Sequence, residues 1–188
     1  VLIIELDGLR DGMDRLEKRI QEICLAHRAV EFRAAATAEE RESLWKGRKG
    51  AYGAIARIST SCLIVDGVVP RTRLPEVLRK IASVGERYRL TMINVFHAGD
   101  GNLHPIIAFD ATNPQAKEQV MAAGMEVLQA CVDAGGTISG EHGIGLEKRP
   151  AMHLLFGPQD LTTMWRVKRV FDPAEISNPG KLLPDQEA

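Results

Sequence analysis

The chain has 188 residues, with 24 Lys and Arg against 25 Asp and Glu, and no basic tract stands out. That balance offers little to nucleic acid or to an anionic membrane surface and points to a small-molecule partner. No apolar run approaches the roughly 20 residues of a membrane helix, no signal-peptide pattern is present, and one domain spanning 1–188 is expected.

Taken in chain order, "VLIIEL" reads as a strand, and the chain opens on it without an initiator Met, as expected of a piece of a longer polypeptide. Apolar residues at 13, 16, 20, 23 and 24 then have the spacing of an amphipathic helix within residues 7–28. "AVEFRAAA" reads as a second strand, and Thr37-x-x-Glu40 is a capping box opening a helix over 37–58, although Gly47, Gly50 and Gly53 weaken it. "SCLIVDGVVP" reads as one strand, and Leu74, Val77, Leu78, Ile81 and Val84 form one stripe of a helix over 74–88. "TMINVF" and "HPIIAF" flank Asp100-Gly101, a hairpin signal, because a tight I′ turn needs positive φ at both central positions. A helix over 113–136 has Pro114 in its first turn and Gly135 at its C-terminal cap. The last segment is a short helix stopped at Asp172-Pro173 and an extended, Pro-containing tail expected to lie across another surface. Cys24, Cys62 and Cys131 lie scattered in apolar settings and read as reduced core residues of a cytoplasmic-type protein.

No G-x-G-x-x-G after a strand, no Walker sequence and no G-x-S-x-G is present, which argues against a nucleotide-binding parallel sheet and a serine nucleophile. The expected fold is α+β: a largely antiparallel sheet with helices on one face, ferredoxin-like and duplicated, followed by the C-terminal helix and tail.

Two stretches concentrate the chemistry. If Asp100 and Gly101 are the two turn residues of the hairpin, His97 faces His104 directly, and both imidazoles share one face within reach of one metal ion. The alternative is a pair of histidines packed beside a turn. Residues 135–149 hold five glycines between Gly135 and Gly145, whose use is to let backbone take special conformations or approach something closely. Within that loop Glu141 and His142 are adjacent, so one can ligate while the other faces a substrate; the alternative is a flexible loop with surface charges. His97, His104 and Glu141 together form a two-histidine, one-carboxylate set of the kind that holds a catalytic divalent ion with open positions. His142 is then a natural general base, Asn102 a residue that orients a polar group, and Asp100 a turn residue. His27 and His153 sit on helical patterns and read as surface or packing residues.

Five segments, "WKGRKGAYGAIARIS", "VDGVVPRTRLPEVL", "FHAGDGNLHP", "ISGEHGIGLEK" and "FDPAEISNPGKLLP", resemble in order the C-terminal domain of FAD-linked oxidases of the vanillyl-alcohol-oxidase type, over about residues 40–184. Within that family the resemblance is to glycolate oxidase flavoprotein subunits, with D-lactate and D-2-hydroxyglutarate dehydrogenases as relatives. It implies a flavin-dependent 2-hydroxy-acid dehydrogenase, with glycolate or D-lactate as substrate and FAD as hydride acceptor. It implies that His97, His104 and Glu141 hold a divalent metal, zinc, or alternatively iron or manganese, and that His142 is the base on the substrate hydroxyl. It further implies that Arg48 clamps the substrate carboxylate with Tyr52 completing that wall, and that Asn178 lies near the flavin. The family's FAD-binding domain precedes this region and is absent from these residues, so this chain alone is expected to be an inactive substrate-and-metal cap. Its partners are then that FAD-binding domain of the same polypeptide, other oxidase subunits through which it is membrane-associated, and a second copy through exposed apolar surface. Two other readings remain at this stage: a stand-alone metal- or ligand-binding module without redox activity, and a metal-dependent hydrolase, which would not need the Arg48 clamp.

Overall fold

The computed structural model describes residues 1–185, which divide into two compact units, one of residues 1–51 and one from residue 52 onward. Among the described residues no helix is long and apolar enough to cross a membrane.

In the first unit, α1 (Met13–Ala26) follows its apolar stripe; α2 (Ala38–Ile55), whose residues up to Ala51 belong to this unit, begins where the capping box places it. The Thr37 hydroxyl accepts from the Glu40 N–H at 3.2 Å, while the Glu40 carboxylate accepts from the N–H groups of Thr37 at 3.2 Å and Ala36 at 2.7 Å. The helix runs through Gly47, Gly50 and Gly53 without a break. The two expected strands, Val1–Leu6 and residues 29–36, are a correction: neither forms a ladder among the described residues. Apolar, strand-prone residues make a strand only where an edge lies beside them, and Val1, Leu2 and Ile4 are instead exposed. The duplicated, ferredoxin-like arrangement expected to use these strands is accordingly not traced by them.

The second unit has the expected α+β organisation. A three-stranded antiparallel sheet runs β1 (Ser61–Ile64), β5 (Pro105–Phe109), β3 (Thr91–Asn94), and α3 (Leu74–Tyr88) and α4 (Pro114–Asp133) pack against it and each other. The α3 stripe buries Val77, Ile81 and Val84, and α4 buries Val120, Ala123, Val127 and Cys131 against Leu103 and Ile107. Burial pushes the Cys131 thiol up to about 12, so it packs as an inert apolar group. Asn113 caps α4 by accepting from the Gln115 N–H at 3.0 Å, Pro114 fills the first turn, and Gly135 follows the helix at φ 81°.

The single strand expected over 61–70 is instead two. β1 pairs with β5 as far as Ile64, and Val65 still donates to the Pro105 carbonyl at 2.9 Å. After Asp66 the chain leaves that ladder, and β2 (Gly67–Val68) pairs with β4 (Asn102–Leu103) on one side and bridges Thr137 on the other. The histidine hairpin is also shifted: β3 and β5 pair Ile93 with Ile106 and Asn94 with Pro105, and His97 bridges Asn102, not His104. The loop is therefore residues 98–101, two longer than the Asp100-Gly101 turn. β2 sets this register, because Val69 donates to the Gly101 carbonyl at 3.0 Å. Gly101, at φ 75°, lies so close to Val69 that a Cβ would sit 2.1 Å from its carbonyl oxygen.

After α4, the chain forms α5 (Pro158–Phe171), stopped at Asp172 as the sequence indicates. The tail returns across the second unit: Leu183 is buried, Trp165 Nε1 donates to the Pro184 carbonyl at 2.9 Å, and Leu182 donates to the Gly145 carbonyl at 2.9 Å. Ile81 has no exposed surface. Ile81→Ala is therefore expected to cost about 2–5 kcal/mol of stability, read from urea denaturation; a loss under about 1 kcal/mol would mean that α3 does not seat in the core as described.

Candidate functional site

The second unit brings His97, His104, Glu141 and His142 together. His97 reaches the site from the segment after β3, where it bridges Asn102, His104 from the link between β4 and β5, and Glu141 and His142 from the glycine loop after α4. Although the register differs from expectation, the shift is two residues, and a two-residue shift keeps side chains on the same face. The two imidazoles thus meet edge to face, with ring centroids 5.5 Å apart, and the His142 ring stacks on His104 at 4.9 Å.

Glu141 Oε1 lies 3.0 Å from His104 Nε2, 3.9 Å from His142 Nε2 and 4.0 Å from His97 Nε2. The ligand atoms of His97, His104 and Glu141 all fall within 4.8 Å of one another. Two ligands on a tetrahedral zinc with bonds of about 2.0–2.1 Å lie about 3.3 Å apart, so this spacing suits one small cation. His104 is 8% exposed, and its buried Nε2 makes no hydrogen bond despite its closeness to Glu141. A buried lone pair without a donor is what a metal ligand presents.

Asp66, His104 and His142 form a second convergent group, but Asp66 is already engaged. Its Oδ2 accepts from Ser139 Oγ at 2.9 Å, the N–H groups of Gly140 and His142 at 3.0 Å each, and Lys148 Nζ at 2.8 Å; its Oδ1 accepts from the Glu141 N–H at 3.2 Å. Burial acts to raise this carboxyl, but the hydrogen bonds from Lys148, the His142 amide, Ser139 and the Glu141 amide outweigh it and hold it well below the usual carboxylate range. A carboxylate so occupied has little left for a cation, which favours the His97, His104, Glu141 set as the ligand set.

Asn102 is 7% exposed on β4, with its Oδ1 buried and unpartnered. Gly140 lies against it so closely that a Cβ would stand 2.8 Å from the Asn102 amide, and this contact seats the glycine loop over β4. Tyr52 is more remote: its hydroxyl is 3.8 Å from Cys62 Sγ, and Cys62 pairs with Ala108, four residues along β5 from His104. Arg48 is a half-buried residue of α2 within the first unit. Asn178 is exposed in the tail, where its carbonyl closes a turn by accepting from Lys181 N–H at 3.2 Å. Sequence reading missed Asp66 and Lys148. The available signal was a charge inside the apolar run "CLIVDGVV", which a solvated strand face does not need.

A family model described as FAD linked oxidases, C-terminal domain, matches residues 1–182. The glycolate oxidase subunit GlcD of Escherichia coli (strain K12) is 44% identical over 184 residues, covering 98% of this chain and 37% of that protein. The subunit of the same name from Bacillus subtilis (strain 168) is 35% identical, covering 97% and 39%. The mitochondrial D-lactate dehydrogenase [cytochrome] of Arabidopsis thaliana is 32% identical, covering 97% and 33%. The chain therefore spans 33% to 39% of the length of these curated relatives.

Burial, and then the His142 imidazole, push the His104 imidazolium down; Glu141 and Asp66 act against this, and His97 adds to it. The folded value lies below the unfolded value of about 6.5, so the unfolded chain takes up this proton first. This contribution leaves stability unchanged above about pH 6.5 and lowers it as pH falls toward the folded value. Asp66, held ionised, adds no slope in that window. The metal-free chain is expected to unfold at lower urea at about pH 5.5 than at about pH 7.5, with a smaller difference in His104→Gln; an undiminished difference in that variant would contradict the assignment.

Proposed function

The chain belongs to the FAD linked oxidase C-terminal domain family, and from that premise we propose that it is the substrate- and metal-binding domain of a flavin-dependent 2-hydroxy-acid dehydrogenase. Glycolate and D-lactate, the compounds in the relatives' names, are both 2-hydroxy acids, and either is a fitting substrate. The observation that carries the reading is the convergence of His97, His104 and Glu141 within 4.8 Å around a buried, unbonded His104 Nε2.

In this reading His97, His104 and Glu141 hold a divalent cation, zinc or alternatively iron or manganese, and FAD is bound mainly by another part of the same polypeptide. When bound, the cation supplies Lewis acidity toward the substrate's hydroxyl and carboxylate oxygens, and the flavin supplies an acceptor for the C2 hydride. His142 takes the hydroxyl proton at a ring nitrogen. Its side chain is 41% exposed and stacked on His104, so the ring is oriented yet open to a ligand. Asn102, 7% exposed on β4, is assigned the orienting of a polar group of the substrate. For Arg48 and Tyr52 the proposal rests on the family motif: a guanidinium pairs with a carboxylate through two parallel hydrogen bonds, and the tyrosine completes the wall. Asn178, on the exposed tail turn, is assigned to the flavin on the same ground.

Elemental analysis tests the metal. The native chain is expected to hold about one equivalent of a divalent metal that is lost from the His97→Ala/His104→Ala double variant, and no metal in the native chain after incubation with zinc or manganese would remove that part of the proposal. In the flavin-loaded protein, glycolate or D-lactate is expected to bleach the flavin absorbance without oxygen. His142→Ala is expected to slow this by about 10²–10⁴-fold with its metal retained. A metal-bound, flavin-loaded protein that no 2-hydroxy acid reduces would favour a binding module without redox activity.

A further inference from the structure

Asp66 interrupts an apolar run, and folding leaves it no exposed surface. A carboxylate taken so far from water is costly unless charge and hydrogen bonds compensate it. Its compensation comes from a short stretch of chain: Ser139 Oγ, three successive backbone N–H groups at Gly140, Glu141 and His142, and Lys148 Nζ. Lys148 is itself 6% exposed, and it also donates to the Asp66 carbonyl at 3.0 Å and to Ser139 Oγ at 3.1 Å. The ammonium therefore ties the two ends of the loop to the same point.

Three consecutive amides aimed at one carboxylate fix the backbone of residues 140–142, and with it the directions in which the Glu141 and His142 side chains leave. On the other side of the carboxylate, Oδ1 stands 3.6 Å from His104 Nε2. One buried group thus faces both halves of the site, the histidine from the sheet and the loop that brings the acid and the second imidazole. In a loop with glycines at 140, 143 and 145, the last two at positive φ, intrinsic backbone preference would not hold that geometry.

We propose that Asp66, with Lys148 as its counter-charge, is a positioning residue that holds Glu141 at the spacing needed to share a divalent cation with His97 and His104, and holds His142 beside it. The inference rests on the metal reading given above and adds to it the group that pre-forms the ligand geometry. Groups that orient metal ligands typically change affinity by about 10–100-fold when removed.

Calorimetric titration of zinc into the chelator-stripped chain tests it. Asp66→Asn puts an amide N–H₂ among the loop's N–H donors and is expected to weaken zinc binding by about 10–100-fold. Val84→Ala, a truncation in the α3 core chosen to lower Tm, is expected to leave zinc affinity unchanged, which separates positioning from general destabilisation. Ser139→Ala removes one donor and is expected to weaken binding a few-fold; it decides the matter if Asp66→Asn does not fold. Native affinity in a folded Asp66→Asn, equal weakening in Val84→Ala, or native affinity in Ser139→Ala when Asp66→Asn is unfolded, overturns the inference and leaves the metal reading standing. A native chain that binds no zinc overturns both.

Discussion

The buried ion pair between Asp66 and Lys148, 2.8 Å apart, is the constraint around which the second unit's functional end is arranged. Such a pair is weak evidence for stability, since apolar residues of similar volume often replace buried pairs without loss. Its effect is better sought in what it organises. The carboxylate stands where the chain passes from the β1–β5 ladder to the β2–β4 ladder, and its hydrogen bonds reach a loop more than 70 residues later. A hydrophobic contact at this place would hold the two segments together. It would not dictate which way three successive amides point, because apolar packing is non-directional.

The resulting site is graded in burial. His104 and Asn102 are closed in by the sheets, while Glu141, His97 and His142 have side chains 52%, 47% and 41% exposed. In the closed half, Asn102 is paired with Val68 on one side and bridged to His97 on the other, and His104 follows in the link between β4 and β5; in the open half, His97 stands at the base of the hairpin loop and Glu141 and His142 in the glycine loop. This division suits a site that admits a small ligand. Rigid elements set the spacing of donors, and the exposed rim leaves room for a ligand to enter and for imidazoles to exchange protons. Gly140 serves the same arrangement by a different means: without a side chain it lets the loop backbone rest on the Asn102 amide, so the loop is tied to Asp66 through hydrogen bonds and to β4 by contact.

How much of this was legible in the sequence depends on whether the information was local. The stripes of α1 and α3, the Thr37/Glu40 box and the Pro114 start of α4 state their own structure, because caps and helical periodicity act within a few residues. "VLIIEL" and "AVEFRAAA" differ from the strand expectation because an apolar, strand-prone segment can join a sheet but does not supply the neighbouring edge. "SCLIVDGVVP" read as one strand because its apolar run is continuous; the break at Asp66 is imposed by partners from residues 139–148. The same distance hid Asp66 and Lys148 from the site reading, whereas His97, His104, Glu141 and His142 announced themselves as uncommon residues beside glycines.

The hairpin shows why the site reading survived an incorrect register. In an antiparallel pair, partner numbers add to a constant, and side-chain facing depends only on whether that constant is odd or even. The two-residue turn and the observed loop at 98–101 both give an odd sum, so His97 and His104 share a face in each. A three- or five-residue loop would have sent one imidazole to the opposite face. What the Asp-Gly signal conveys is therefore the parity of the loop, and the shared face of the histidine pair depends on that parity. The exact partner was settled elsewhere, by Val68 and Val69, which take Asn102 and Gly101 as their neighbours and leave His104 diagonal to His97, with its buried nitrogen turned toward Glu141.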